Sequence, residues 1–153
     1  FDYAVDAHQQ QRRNSGEAYI FHPIAVAKIV ASEIGLDAVS IASALIHDVV
    51  EDNSDHTLER IQKEFGDKIA KIVDGLTKIG KLNTKGYSDV SIQAENYRKM
   101  LLTLNEDVRV IIIKIADRLH NMQTLASMPY EKQIQKAEAK TASEEIPEDV
   151  VTE

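Results

Sequence analysis

The chain has 153 residues, 43% apolar and 28% charged, with no cysteine, no tryptophan and a formal net charge of −7 at pH 7. That length predicts one domain with its own core, and the absence of cysteine excludes disulfide scaffolds, thiolate zinc sites and cysteine nucleophiles. The acidic balance argues against a nucleic-acid groove, and with no apolar run of roughly 18 residues and no signal-peptide layout, a cytoplasmic protein without a membrane span is expected.

Three prolines and six glycines punctuate the chain, and the stretches between them carry apolar residues at three- and four-residue spacing, which predicts an all-α fold. A first helix is expected from Asp2 to about Arg12, then a polar loop to Glu17. Pro23 suits the first turn of a second helix, with Ile24, Ala27, Val30 and Ile34 on one side and Gly35 at its end. Asp37 is a good N-cap for a third helix, Ala38 to about Val50, striped by Ile41, Ala42, Leu45, Ile46 and Val49.

Thr57 caps a further expected helix to Phe65, although the acid of a capping box is displaced by one residue to Glu59. Gly66 ends it and Asp67 caps the next, to about Leu76. Residues 79–91 read as a long mobile loop. Helices are expected again over about Ile92–Leu104 and Asp107–Ala126. The β-branched run Val108–Ile113 is assigned to a buried helix, because apolar residues continue at helical spacing through Leu119 and Met122. Residues 138–153 hold six acids and one lysine and read as a frayed or disordered tail.

The strongest chemical signal is Leu45–Asp52. On a helix His47 would lie over Glu51 and Asp48 over Asp52, and the clustered carboxylates repel one another unless a cation answers them. A divalent metal with mixed N/O ligation fits; an exposed helix end with solvated acids fits these residues as well. Asp117 lies in the most apolar helix, where Ile112, Ile115, Leu119 and Met122 should be buried, and shares a face with Asn121 and Thr124. A carboxylate buried there needs a partner, either a metal or a salt bridge to Lys114 or Arg118. His22, at the loop-to-helix junction before Pro23, is a third candidate ligand or a capping histidine.

The separated set His22, His47-Asp48, Asp117 resembles the H…HD…D pattern of the HD metal-dependent phosphohydrolase superfamily. More narrowly, the segments Arg13–Pro23, His47–Asp52, Asp74–Lys78 and Ala116–Met122 look like the hydrolase domain of RelA/SpoT homologues, the enzymes of the alarmone (p)ppGpp. The resemblance implies a compact helical bundle of the HD-domain type over residues 1–137. It implies His22, His47, Asp48 and Asp117 as ligands of one Mn²⁺, and Glu51 and Asp52 as the acidic pair that handles the attacking water. Arg13, Asn14 and Ser15 fall where the family meets the guanine base, Asn121 and Thr124 at the ribose side, and Lys78 near the phosphates.

The activity so implied is a Mn²⁺-dependent 3′-pyrophosphohydrolase that converts ppGpp and water to GDP and diphosphate. Metal-lowered water pKa and phosphate-facing cations give that role a physical basis. The sequence departs from the family at Asn14, usually Lys, at Ala18, usually Pro, and at Gln123, commonly Arg. Asn14 and Gln123 keep open another nucleotide phosphohydrolase, such as an NADPH 2′-phosphatase; a catalytically idle nucleotide-sensing domain is the alternative of a different class, and the intact set His22, His47, Asp48, Glu51, Asp52 and Asp117 argues against it. The opening Phe1 predicts a piece of a longer protein, with a synthetase domain as the implied partner.

Overall fold

The computed structural model describes residues 1–82 and 107–125. Within them the chain forms α1 (Asp2–Ala7), α2 (Phe21–Lys28) with a π-helical continuation Ile29–Ile34, α3 (Ala38–Leu45), α4 (Val49–Asp52), α5 (Leu58–Phe65), α6 (Asp67–Leu82) and α7 (Arg109–Gln123). No strand occurs among the described residues, only an isolated bridge between Arg12 and Ala18. The expected helix over 92–104, most of the expected loop and the acidic tail lie outside the described residues. No described helix is long and apolar enough to cross a membrane.

Several boundaries differ from those read in the sequence. The first helix stops at Ala7 because His8 turns inward and its Nδ1 bonds the Gln11 side chain. The polar loop is ordered rather than loose. Arg13 N–H donates to Glu17 O at 2.9 Å and Gly16 N–H to Arg13 O at 2.8 Å, with Gly16 at φ 85°. After α2 the wider π turn adds a residue per revolution. Ile29 and Val30 are buried in it beside Val26 of α2 and Ile34 is left exposed, so the expected stripe is fully buried only at Ala27 and Val30. Gly35 ends the segment at φ 77°.

Asp37 caps α3 as expected, accepting from Ser40 N–H at 2.9 Å. The helix does not reach Val50: it breaks after Leu45, and α4 begins afresh at Val49. Ser43 Oγ–H donates back to Val39 O at 2.8 Å, the kind of side-chain bond that competes with the helix ladder. His47 and Asp48 therefore sit on a turn between two helices. Thr57 Oγ accepts from Arg60 N–H at the start of α5, and Gly66 at φ 84° ends it. The following helix runs past the expected Leu76 to Leu82, so residues 79–82 are helical.

α6 is the common support. Ile72 and Leu76 pack with Val26, Val30, Ala44, Val110 and Ile113 in one core cluster. Ala70 and Val73 pack with Ala4, Ile46, Val49 and Ile61 in the other. Fully buried aliphatics such as Ile61, Ile72 and Ile113 contribute about 1.5–3 kcal/mol each. α7 lies across α2, α3 and α6. The Val108–Ile113 run is helical from Arg109 onward, but the buried face is not the expected one. Val110, Ile113, Ala116 and Asp117 point inward, whereas Ile115 is 58%, Leu119 41% and Met122 40% exposed. With apolar residues on nearly every side of this helix, periodicity could not select the core face.

Candidate metal centre

Three elements deliver the donors. α2 brings His22 from its first turn, the α3–α4 turn brings His47 and Asp48, and α7 brings Asp117. His22, His47 and Asp48 each offer an atom within 4.8 Å of the others, close enough to share one ion. Asp117 Oδ1 lies 3.1 Å from His22 Nε2 and 3.8 Å from His47 Nε2. Both imidazoles and Asp117 are buried.

The donor set fits a divalent metal. His47 Nδ1–H donates to Ala44 O at 2.8 Å, which leaves Nε2 directed at the carboxylates, the usual arrangement of a ligating histidine. That Nε2 is 2.9 Å from Asp48 Oδ2, yet it is buried without a partner in hydrogen-bonding geometry. An ion between imidazole and carboxylate would satisfy both atoms. Asp48 Oδ2 also accepts from Tyr19 O–H at 2.6 Å. Asp117 accepts from Asn121 Nδ2 at 2.7 Å and pairs through Oδ2 with Lys114 at 3.1 Å. The salt-bridge partner considered in the sequence is thus present, and Oδ1 still faces the imidazoles.

Electrostatics follow from this crowding. Burial alone would lower the pKa of His47, but the Asp48 and Asp117 carboxylates outweigh it and push it up to about 10. Burial likewise works against the ionised carboxylates, yet Asp48, facing His47, and Asp117, facing His22, His47 and Lys114, are both held below the ordinary range. His22 is shifted down, first by burial and then by the His47 charge. Glu51 and Asp52 are both shifted up, chiefly by partial burial and then by neighbouring carboxylates, Lys114 opposing the shift at Glu51.

A cavity of about 400 Å³ opens over the donors. Glu51 and Asp52 line it beside Asp48, and Arg12, Arg13 and Lys114 supply cations around it. Since α3 and α4 are separate, Glu51 and Asp52 reach the cavity from a new helix that Asp48 caps: Asp52 N–H donates to Asp48 O at 3.0 Å, so Asp48 and Asp52 stay one turn apart as expected, whereas His47 lies outside that helix. Asn14 and Asn121 line the cavity as well; Ser15 is exposed and outside its lining, where its Oγ lies 3.5 Å from the Glu17 N–H. Thr124 joins Asn121 in binding Arg13. Lys78, on α6, pairs with Asp74 at 2.6 Å and is not among the lining residues.

Sequence reading gave no role to Tyr19, Arg12, His120 or Gly80. Tyr19 could have been found from its place three residues before His22, on the turn that leads into α2. Gly80 could not: the Glu51 carboxylate occupies the space where its Cβ would stand, a contact between α4 and α6 that no local pattern encodes.

Helices and a turn that gather two imidazoles and two carboxylates beneath an open, cation-flanked cavity define a helical domain with a His/Asp cluster able to hold a divalent metal. The chain belongs to the HD domain family, whose model matches residues 1–143. Over 133 residues it is 49% identical to a probable guanosine-3′,5′-bis(diphosphate) 3′-pyrophosphohydrolase of Synechocystis sp., covering 87% of this chain and 17% of the relative. A Haemophilus influenzae protein of the same name, without the qualifier, is 48% identical over 84% of this chain and 18% of its own length. A putative chloroplastic GTP diphosphokinase of Oryza sativa subsp. japonica is 50% identical over 85% and 15%. The chain thus spans less than a fifth of these relatives. A solved structure of a metazoan ortholog of SpoT that hydrolyzes ppGpp shares the fold, with a TM-score of 0.68 and 24% identity over 92% of this chain and 79% of that one.

The raised His47 pKa has a measurable consequence. A group whose folded pKa lies above its unfolded value stabilises fully below the unfolded value, near 6.5, and that stability is lost as pH rises through about 10. The metal-free protein should therefore lose stability over this window. A metal must displace the same proton, so calorimetric titration with Mn²⁺ at pH 8 in two buffers of different ionisation enthalpy should show about one proton released per ion. Buffer-independent heats would contradict the assignment.

Proposed function

We propose that the domain is a Mn²⁺-dependent pyrophosphohydrolase that removes the 3′-diphosphate of (p)ppGpp. The observation that carries the reading is the adjacency of the His22/His47/Asp48/Asp117 donors to the Glu51–Asp52 pair in one cavity flanked by cations. The names of the Synechocystis and Haemophilus relatives support the substrate. The rice relative's name is in keeping with a synthetase domain as the partner in a longer protein.

His22, His47, Asp48 and Asp117 would hold the ion. When bound, the metal lowers the pKa of a water and neutralises charge developing on the phosphoryl oxygens. Glu51 and Asp52 orient that water and take its proton, a task suited by the upward shift of their pKa values. The water oxygen attacks the phosphorus attached to the ribose 3′ oxygen. That P–O bond breaks, the 3′ oxygen regains a proton, and diphosphate leaves. Arg12 and Lys114, which line the cavity, are placed to receive phosphate charge. Arg13, Asn14, Asn121 and Thr124 gather on the nucleoside side, with Ser15 at the loop tip and Lys78 further along α6.

Incubation with Mn²⁺ and ppGpp should yield GDP and diphosphate, with NADPH left intact. Absence of ppGpp turnover, or release of phosphate from NADPH instead, would overturn the substrate. Glu51→Gln should retain the metal and lose about a hundredfold or more in turnover; full activity would remove Glu51 from its role. In Gly80→Ala the new methyl group must push the Glu51 carboxylate aside. Alanine favours the helix by up to about 1 kcal/mol, so thermal stability should hold while turnover falls about tenfold to a hundredfold. Unchanged turnover would show that the position of Glu51 is immaterial.

A further inference from the structure

Arg13 reaches from the 12–18 loop to the last turn of α7, where its guanidinium touches three side chains. Nη2–H donates to Asn121 Oδ1 at 2.9 Å and to Thr124 Oγ at 3.2 Å, and Nη1 lies 3.5 Å from His120 Nδ1. Two of these three lead directly to expected metal ligands. Asn121 Nδ2–H donates to Asp117 Oδ1 at 2.7 Å, and His120 Nδ1 is 2.8 Å from His22 Nδ1.

The chemistry of the groups fixes the direction of each bond. A guanidinium only donates and an ionised carboxylate only accepts, so the Asn121 amide between them has one workable orientation. Reversed, it would face nitrogen with nitrogen and oxygen with oxygen. Because the guanidinium only donates, His120 Nδ1 must accept. Its contact with His22 is then made by the His22 Nδ1–H, which leaves the His22 Nε2 lone pair turned to the carboxylates, free to ligate a metal. Partners of this kind orient ligands and tune metal affinity.

We propose that Arg13 is a positioning residue of the metal centre, setting the Asp117 carboxylate through Asn121 and the His22 tautomer through His120. This rests on the metal reading above and adds to the base-contacting role that the family resemblance implies for Arg13. It makes a prediction of opposite sign to simple electrostatics. Removing a positive charge near a cation site should tighten metal binding by Coulomb's law, whereas removing a positioning residue should weaken it.

The test is an electron paramagnetic resonance titration with Mn²⁺ in the absence of any nucleotide. Arg13→Ala should bind Mn²⁺ about tenfold or more weakly than wild type. Arg13→Lys keeps the charge but not the fork, and should be weakened similarly. Asn121→Ala should also be weakened, and adding Arg13→Ala to it should cost less than the product of the two single effects. Unchanged or tighter binding by Arg13→Ala, or full recovery in Arg13→Lys, would overturn the proposal while leaving the metal site standing. A wild type that binds no Mn²⁺ would overturn the metal reading itself.

Discussion

Two imidazoles and two carboxylates meet in a part of the fold from which water is largely excluded, and that burial is the constraint on which the site depends. A charge taken out of water costs several kcal/mol unless it is answered at close range. Here each group is answered by the others and by surrounding hydrogen-bond and ion-pair partners: the Tyr19 hydroxyl on Asp48, Asn121 and Lys114 on Asp117, and the Ala44 carbonyl, which accepts from His47. The arrangement leaves one deficiency, the misaligned His47 Nε2, at the place where a cation would be coordinated.

The break after Leu45 makes this meeting possible. Had α3 continued to Val50, His47 and Asp48 would point in different directions around one helix, and they could not both face α2 and α7. Interrupting the helix turns both side chains the same way, and α4 then projects Glu51 and Asp52 into the cavity. Ile46 and Val49 on either side of the turn are buried in the cluster under α6, so apolar packing holds a segment whose backbone bonding is incomplete. Arg109 ties the two entry points together by pairing with Asp107 at 2.7 Å and Asp37 at 3.1 Å, which links the starts of α7 and α3.

Helix identity was legible in the sequence because it is local. Asp37, Thr57, Gly35 and Gly66 cap or end helices through bonds and torsions that span only a few residues. The chemistry was legible for a different reason: carboxylates and histidines in an apolar setting require partners, and the ordered motifs carried a family resemblance. What periodicity could not supply was the rotation of α7, apolar around most of its circumference, or the π turn that carries Ile34 outward. Nor could it reveal the supports supplied from distant segments. Arg13 meeting Asn121 and Gly80 yielding to Glu51 arise from tertiary packing alone. Lys78, assigned to the phosphates by resemblance, pairs with Asp74 on its own helix, while Lys114 and Arg12 stand at the cavity.

One divalent ion shared by His22, His47, Asp48 and Asp117 would leave a crystallographic signature. Anomalous X-ray diffraction from crystals grown with Mn²⁺ addresses it most directly. A single strong peak is expected, enclosed by the His22 and His47 Nε2 atoms and by carboxylate oxygens of Asp48 and Asp117, with Glu51 and Asp52 facing it across the cavity. A map with no peak among these four side chains, from crystals that carry the ion elsewhere, would contradict it.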